Sequence, residues 1–303
     1  MRRHSIIASC LLTLALGVIG CGGESKVTIK LTDAPGDFKR AVVTISEVEL
    51  LGEGENNRVV LLNEARTTDL ITLANDTADL VKDAVVPAGT YKELRFVITG
   101  AFIEVEGADG STKIYASSED YAGLPEGAEV AGSLQMPSYG SSGLKVKIAE
   151  PVTVEGEQKV ILVDFDVGQS FGHSAGAAGE KWVMSPVIKA ADITFSATVT
   201  VTLTQAEGVT LPTVNGQAIT LADFKATLTN TGNSTEAVAF TDANGDGTFE
   251  AQFNFLIPGD FTVGVTGPEG VTFATDPAGP TPMSVGSGRQ VSTAFTLTSA
   301  SAP

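Results

Sequence analysis

Gly168-Gln169-Ser170-Phe171-Gly172 has the G-x-S-x-G spacing that presents a serine hydroxyl as a nucleophile at a strand end, and His173 follows at once. The rest of that chemistry is missing. Such an elbow runs from a strand into a helix, whereas Ser174 to Gly179 is a run of small residues that reads as a loop. The base must also approach the serine from another segment, and His173 lies on the same loop. A serine hydrolase acting through Ser170 therefore stands as the alternative to a plainer reading, a strand end followed by a loop.

Two acidic constellations suggest cation chemistry. Asp242-Ala243-Asn244-Gly245-Asp246-Gly247 places side-chain oxygens at positions one, three and five with glycine at six, which is the opening of a calcium loop. Position twelve is Phe253 instead of a bidentate carboxylate, so calcium on Asp242, Asn244 and Asp246 needs another ligand such as Glu250. The competing expectation is a hairpin turn, because Asn-Gly and Asp-Gly favour positive φ. Asp164 and Asp166 are spaced i and i+2 opposite Val163, Phe165 and Val167, which puts both carboxylates on one face of a strand. They repel unless water, arginine or a cation lies between them. Asp33 or Asp37 is a candidate partner for a cation there, against the simpler expectation of a solvated face. No cofactor beyond calcium is implied.

The N-terminus carries a different kind of chemistry. Arg2 and Arg3 precede an apolar run from Ile6 to Ile19, and Val18-Ile19-Gly20-Cys21 closes it with small residues and a cysteine. This order is that of a secretory signal peptide, and the run is shorter than the ~20 residues a spanning helix needs. The closing residues resemble the lipobox of bacterial lipoproteins. That resemblance implies cleavage before Cys21, acylation of its thiol and new N-terminus, and attachment to a membrane through the acyl chains. Cys10 leaves with the leader, so no cysteine pair remains to form a disulfide and the fold must rest on packed cores.

Composition narrows the partners. The chain has 303 residues with 19 Lys and Arg against 36 Asp and Glu, a formal charge of −17. Nucleic acid is excluded as a natural partner because phosphate binding needs clustered cations. Anionic headgroups are disfavoured likewise, leaving acyl chains as the membrane contact and an envelope protein or glycan as the soluble partner. Trp182 and the four tyrosines are of the right type for stacking on sugar rings, but scattered single aromatics usually serve a core.

Period-two alternation dominates the elements that must position these residues, and the chain is expected to be all-β, as two β-sandwich domains or with barrel-like closure. Strands are expected at 26–32, 40–51, 58–62, 90–98, 102–106, 113–116, 144–148, 159–167 and 182–193, with a helical turn at Thr77 to Asp83. Charge thins and threonine rises near Ile193 to Ser196, where a second domain begins. Its first strand alternates from Thr198 to Thr204, with Val199, Val201 and Leu203 inward. Further strands are expected at 224–229, 237–240, 248–256, 260–266, 271–274 and 290–298. The expected organisation is leader 1–20, lipidated tether 21–25, first sandwich 26–194, second sandwich 195–298 and a frayed tail 299–303. Val86-Pro87-Ala88-Gly89-Thr90-Tyr91 and Ile257-Pro258-Gly259-Asp260-Phe261 each read as a Pro/Gly turn that delivers an aromatic to the next strand.

Several phrases resemble the bacterial family called domain of unknown function 4382. They are Leu31-Thr32-Asp33-Ala34-Pro35-Gly36-Asp37, Val43-Thr44-Ile45-Ser46-Glu47-Val48, Val86 to Tyr91 with Leu94-Arg95-Phe96, and Val163-Asp164-Phe165-Asp166-Val167. The resemblance spans about residues 26 to 192 and implies a β-rich domain behind a lipoprotein signal, with no assigned activity. Residues Thr241 to Val265 are similar to carboxypeptidase regulatory-like or transthyretin-like sandwiches, with Phe261 where a tyrosine is usual. That similarity implies a spacer or adhesion module.

The sequence thus leads to a non-enzymatic, acyl-anchored envelope protein acting in binding, adhesion or structure. Its alternatives are a carbohydrate-binding surface module and a Ser170 hydrolase. Gly22 after the cysteine points to outer-membrane sorting in a cell with two membranes.

Overall fold

The computed structural model describes residues 25–33, 38–53, 57–107, 110–136, 140, 142–174 and 181–302; the side chains of His173 and Ser174, and Cys21 with its expected acylation, lie outside the described residues. The structure is all-β. Its first core is built from β1 (Ser25–Thr32), β2 (Arg40–Gly52), β3 (Arg58–Leu62), β4 (Arg66–Asp69), β5 (Ala78–Val86), β6 (Gly89–Glu106) and β7 (Thr112–Ala116). It continues through β8 (Val130–Gln135), β9 (Leu144–Val154), β10 (Lys159–Phe165), β11 (Phe171–Ser174), β12 (Lys181–Met184) and β13 (Ile188–Asp192).

These thirteen strands form one hydrogen-bonded path running β11-β12-β8-β7-β6-β9-β13-β10-β1-β5, with β2 pairing β3, β4 and β6. One core receives side chains from both ends of that path, Leu80 and Val81 of β5 and Met184 of β12 among them, so the sheet closes over itself. β1 lies parallel to β10, with Thr32 opposite Asp164, and antiparallel to β5. That pairing carries the acidic ends of β1 and β10 to one rim.

The second core is a sandwich of two four-stranded sheets. Its strands are β14 (Ala197–Gln205), the short hairpin β15 (Thr213–Val214) and β16 (Gln217–Ala218), β17 (Lys225–Asn230), β18 (Thr235–Ala239) and β19 (Phe249–Leu256). β20 (Gly259–Thr266), β21 (Thr272–Asp276), β22 (Thr281–Val285) and β23 (Gln290–Ser301) complete it. The sheets run β19-β14-β23-β21 and β18-β17-β20-β22. Val199, Val201 and Leu203 are fully buried, each worth ~1.5–3 kcal/mol of transfer from water, and the intervening threonines remain half-exposed.

Both Pro/Gly turns open strands as expected, β6 at Gly89 and β20 at Gly259. Tyr91 is fully buried and its hydroxyl donates to Pro87 O at 2.9 Å, which ties the turn to the strand it starts.

Four expectations require correction. Thr77 to Asp83 is no helical turn: β5 covers most of it, and a 3-10 turn sits upstream at Leu70–Leu73. Leu80 and Val81 are adjacent yet both buried because a register shift in the β1–β5 pairing turns both inward, and two adjacent apolar residues also suit a helix. The segments 90–98 and 102–106 are one strand, β6. The segment 182–193 is two strands divided by Pro186, which has no N–H to give a ladder. At the C-terminus β23 runs to Ser301, opposite Thr272, so pairing reaches into the tail expected to fray.

Candidate functional site at the junction of the two cores

The acidic ends of β1 and β10 meet the second core at a small cavity of about 40 Å³. β10 ends at Phe165, and Asp166 leaves the strand to cap a single helical turn, α1 (Val167–Ser170). Its Oδ1 accepts Gln169 N at 3.0 Å, which satisfies a donor that a helix start leaves free. The same carboxylate accepts Ser234 Oγ at 2.6 Å on Oδ1 and Asn230 Nδ2 at 2.7 Å on Oδ2. Both donors flank the β17–β18 turn of the second core. Asn230 shapes that turn by accepting Gly232 N at 2.9 Å and Ser234 N at 3.1 Å.

Asn75 makes a second clasp. It adopts positive φ after the 3-10 turn, and its side chain donates to Gln252 O at 2.7 Å while accepting Asn254 N at 2.5 Å. The amide thereby pairs with the edge of β19 as a neighbouring strand does. Leu162 and Ala191 of the first core pack with Ile257, Phe255 and Ile193 into an apolar cluster beside it. Gly232 comes so close to the Gln169 side chain that a Cβ there has no room.

The cavity between these clasps is lined by Thr32, Asp33 and Asp164 from one side and by Asn230, Ser234 and Glu236 from the other. Asp33 is 4% exposed and Glu236 8%. Asp33 Oδ1 accepts Val167 N at 3.1 Å, but Asp33 Oδ2 and Glu236 Oε1 are buried with no hydrogen-bond partner among the described residues. Burial, then the charges of Asp164, Asp166 and Glu236, push the Asp33 carboxyl up to about 9; burial, with Asp164, pushes Glu236 up to about 8. Lys189, cross-strand from Asp164, also lines the cavity.

The structure therefore unites Asp33, Asp164 and Asp166, as the sequence allowed, and corrects their setting. Asp166 is 1% exposed and off the strand, so the two aspartates do not form a solvated strand face. Asp37 lies outside the described residues. Glu236 was missed, although alternation carries the signal: it occupies the inward side of β18 between exposed Thr235 and Ala237.

The other candidates separate from this site. Ser170 is fully buried, and its Oγ accepts Val187 N at 2.9 Å. It closes the gap at Pro186. His173 lies on β11 opposite Trp182. Trp182 is packed by the rings of Phe38 and Tyr115, with centroids at 5.6 and 5.9 Å, so it lies within an aromatic cluster. In the 242–247 loop Asp242 accepts the N–H groups of Gly245 at 2.7 Å and Gly247 at 3.0 Å, and both glycines have positive φ. Asp246 accepts Thr248 N at 2.7 Å, which holds its carboxyl below the usual range. Glu250, the second residue of the return strand β19, pairs with Thr241, and Phe253 is fully buried. Among the described residues no three His, Cys, Asp or Glu side chains are gathered as a metal-ligand set, and no helix is long and apolar enough to cross a membrane.

Residues 24–186, more than half of the chain, match the family described as Domain of unknown function (DUF4382). The chain belongs to the DUF4382 family. The match ends before β13, which pairs with β10 in the same core, and the second core lies beyond it. Asp33, Asp164 and Asp166 thus belong to the DUF4382 segment, whereas Asn230, Ser234 and Glu236 do not. No curated protein matches the chain.

Among solved structures, the TIE protein of Bacillus anthracis is similar at 10% identity and a TM-score of 0.26, over 86% of this chain and 35% of that one. A leucine-rich repeat protein from Bacteroides thetaiotaomicron aligns at 13% identity and a TM-score of 0.19, over 91% of this chain and 26% of that one. A minor pilin of Streptococcus agalactiae aligns at 9% identity and a TM-score of 0.21, over 91% and 97%. This chain spans about a third of the first and a quarter of the second. Scores of this size define no common arrangement.

Proposed function

We propose that this DUF4382 protein is a lipid-anchored component of the cell envelope with a non-enzymatic role in adhesion, binding or envelope structure. The observation that carries the reading is Val18-Ile19-Gly20-Cys21 placed directly before the first strand, with only Gly22 to Glu24 between them. Residues 22–25 reach about 14 Å even fully extended, so an acylated Cys21 holds the first core at the membrane surface and the second core outward. The clasped junction supports it further, because a rigid two-core body projects its distal end at a fixed distance from the anchor. The burial of Ser170 speaks against a serine nucleophile. The second core, with its 242–247 turn and Ile257-Pro258-Gly259 phrase, is read as a carboxypeptidase regulatory-like spacer or adhesion module.

The site of action is the outer membrane in a cell with two membranes, and the partner is an envelope protein or a glycan. Mass spectrometry of the N-terminal peptide from the native protein tests the anchor. A diacylated or triacylated Cys21 as first residue is expected; an unmodified thiol, or a retained leader, contradicts it. Crosslinking in intact envelopes followed by identification of the captured protein or glycan tests the partner.

A further inference from the structure

We propose that the cavity between the two cores is a binding site for a hard divalent cation of the calcium class, which joins Asp33 of the first core to Glu236 of the second.

Two observations carry this independently. The first is the convergence of acids from three segments: Asp33 after β1, Asp164 on β10 and Glu236 on β18 line one cavity, with Asp166 beside it. The second is the pair of orphan oxygens. Asp33 Oδ2 and Glu236 Oε1 belong to side chains more than nine-tenths buried, both residues line the cavity, and neither oxygen has a partner among the described residues. A buried carboxylate oxygen without donor or cation carries its full desolvation cost. A cation coordinated by both oxygens removes that cost from each of them.

The chemistry of the lining fits oxygen-liganded ions. Two carboxylates balance the charge of a divalent ion, and Lys189, cross-strand from Asp164, lines the same cavity. The remaining ligands of the six to eight that calcium takes come from neutral oxygens of Thr32 and Ser234 and from water. The site draws one carboxylate from each core. The cavity of about 40 Å³ exceeds the ~10–15 Å³ that a single water requires. Among the described residues neither histidine nor cysteine lines it, which disfavours zinc and copper. The 242–247 loop is a separate place on the second core and serves as the internal control.

Isothermal calorimetry of the detergent-purified full-length protein, stripped with EDTA and titrated with CaCl2, tests the proposal. Calcium heat that weakens at least tenfold in Asp33→Asn/Glu236→Gln and persists in Asp242→Asn/Asp246→Asn supports it. No calcium heat in the wild type, or heat lost only in the loop variant, overturns it. Because the junction variant can fail to fold, terbium-soaked crystals of the wild type give a second measurement. An anomalous peak between Asp33 and Glu236 is expected; a peak confined to the 242–247 loop, or none, overturns the site.

Discussion

The hydroxyl of Ser234 donates to the carboxylate of Asp166 at 2.6 Å across 68 residues of sequence, joining the second core to the first at a position that also caps α1. One carboxylate thus fixes a local turn and a long-range interface together. Hydrogen bonds to a charged acceptor contribute about 1.5–3 kcal/mol each. Asp166→Ala, which loses the bonds from Gln169, Asn230 and Ser234, is expected to lower unfolding free energy by at least ~3 kcal/mol and Ser234→Ala by ~1.5–3 kcal/mol. Urea titrations of both variants check the order; equal stability to wild type would remove the junction bond from the account.

Gly232→Ala is expected to cost ~1 kcal/mol, because the new methyl displaces Gln169 and breaks its bond to Asp166. In a Gln169→Ala background that bond is already absent and the methyl has room, so the same substitution becomes nearly neutral. A double-mutant cycle by thermal unfolding reads the difference, and simple additivity contradicts the contact.

Ser170→Ala removes the acceptor for the part-buried Val187 N, a loss of ~1 kcal/mol. A structural serine also predicts that fluorophosphonate probes label neither protein. Labelling of the wild type that disappears in the variant would restore the nucleophile.

Asp33 and Glu236 make stability depend on pH with a definite sign. Their carboxyls rise from 3.8 to about 9 and from 4.5 to about 8 on folding, so the native state binds more protons throughout that window. Stability conferred by the protonated groups is complete below about pH 4 and is lost as pH climbs through 8 and 9. With EDTA present, the melting temperature is expected to fall from pH 5.5 to pH 8.5. Asp33→Asn with Glu236→Gln should flatten that slope; an unchanged slope assigns it to other groups.

Much of the fold was legible because alternation is local. Thr198 to Thr204 and Arg58 to Leu62 state their strands in their own residues, and the two Pro/Gly turns mark where β6 and β20 begin. Alternation fails where pairing shifts register, as at Leu80 and Val81, and it cannot show whether Pro186 ends a strand or bends one. The site was half legible. Asp33, Asp164 and Asp166 stood out as acids beside strand ends, but their meeting place depends on β1 lying parallel to β10. Glu236, Asn230 and Asn75 are ordinary polar residues until the second core docks, and only an acid at an inward strand position hinted at the first of them.

The two cores are expected to behave as one body because the junction holds them. Differential scanning calorimetry of the full-length protein, beside Asp166→Ala/Asn75→Ala, tests it most directly. A single cooperative transition in the wild type that splits into two in the variant is the predicted result. Two separate transitions already present in the wild type would contradict it.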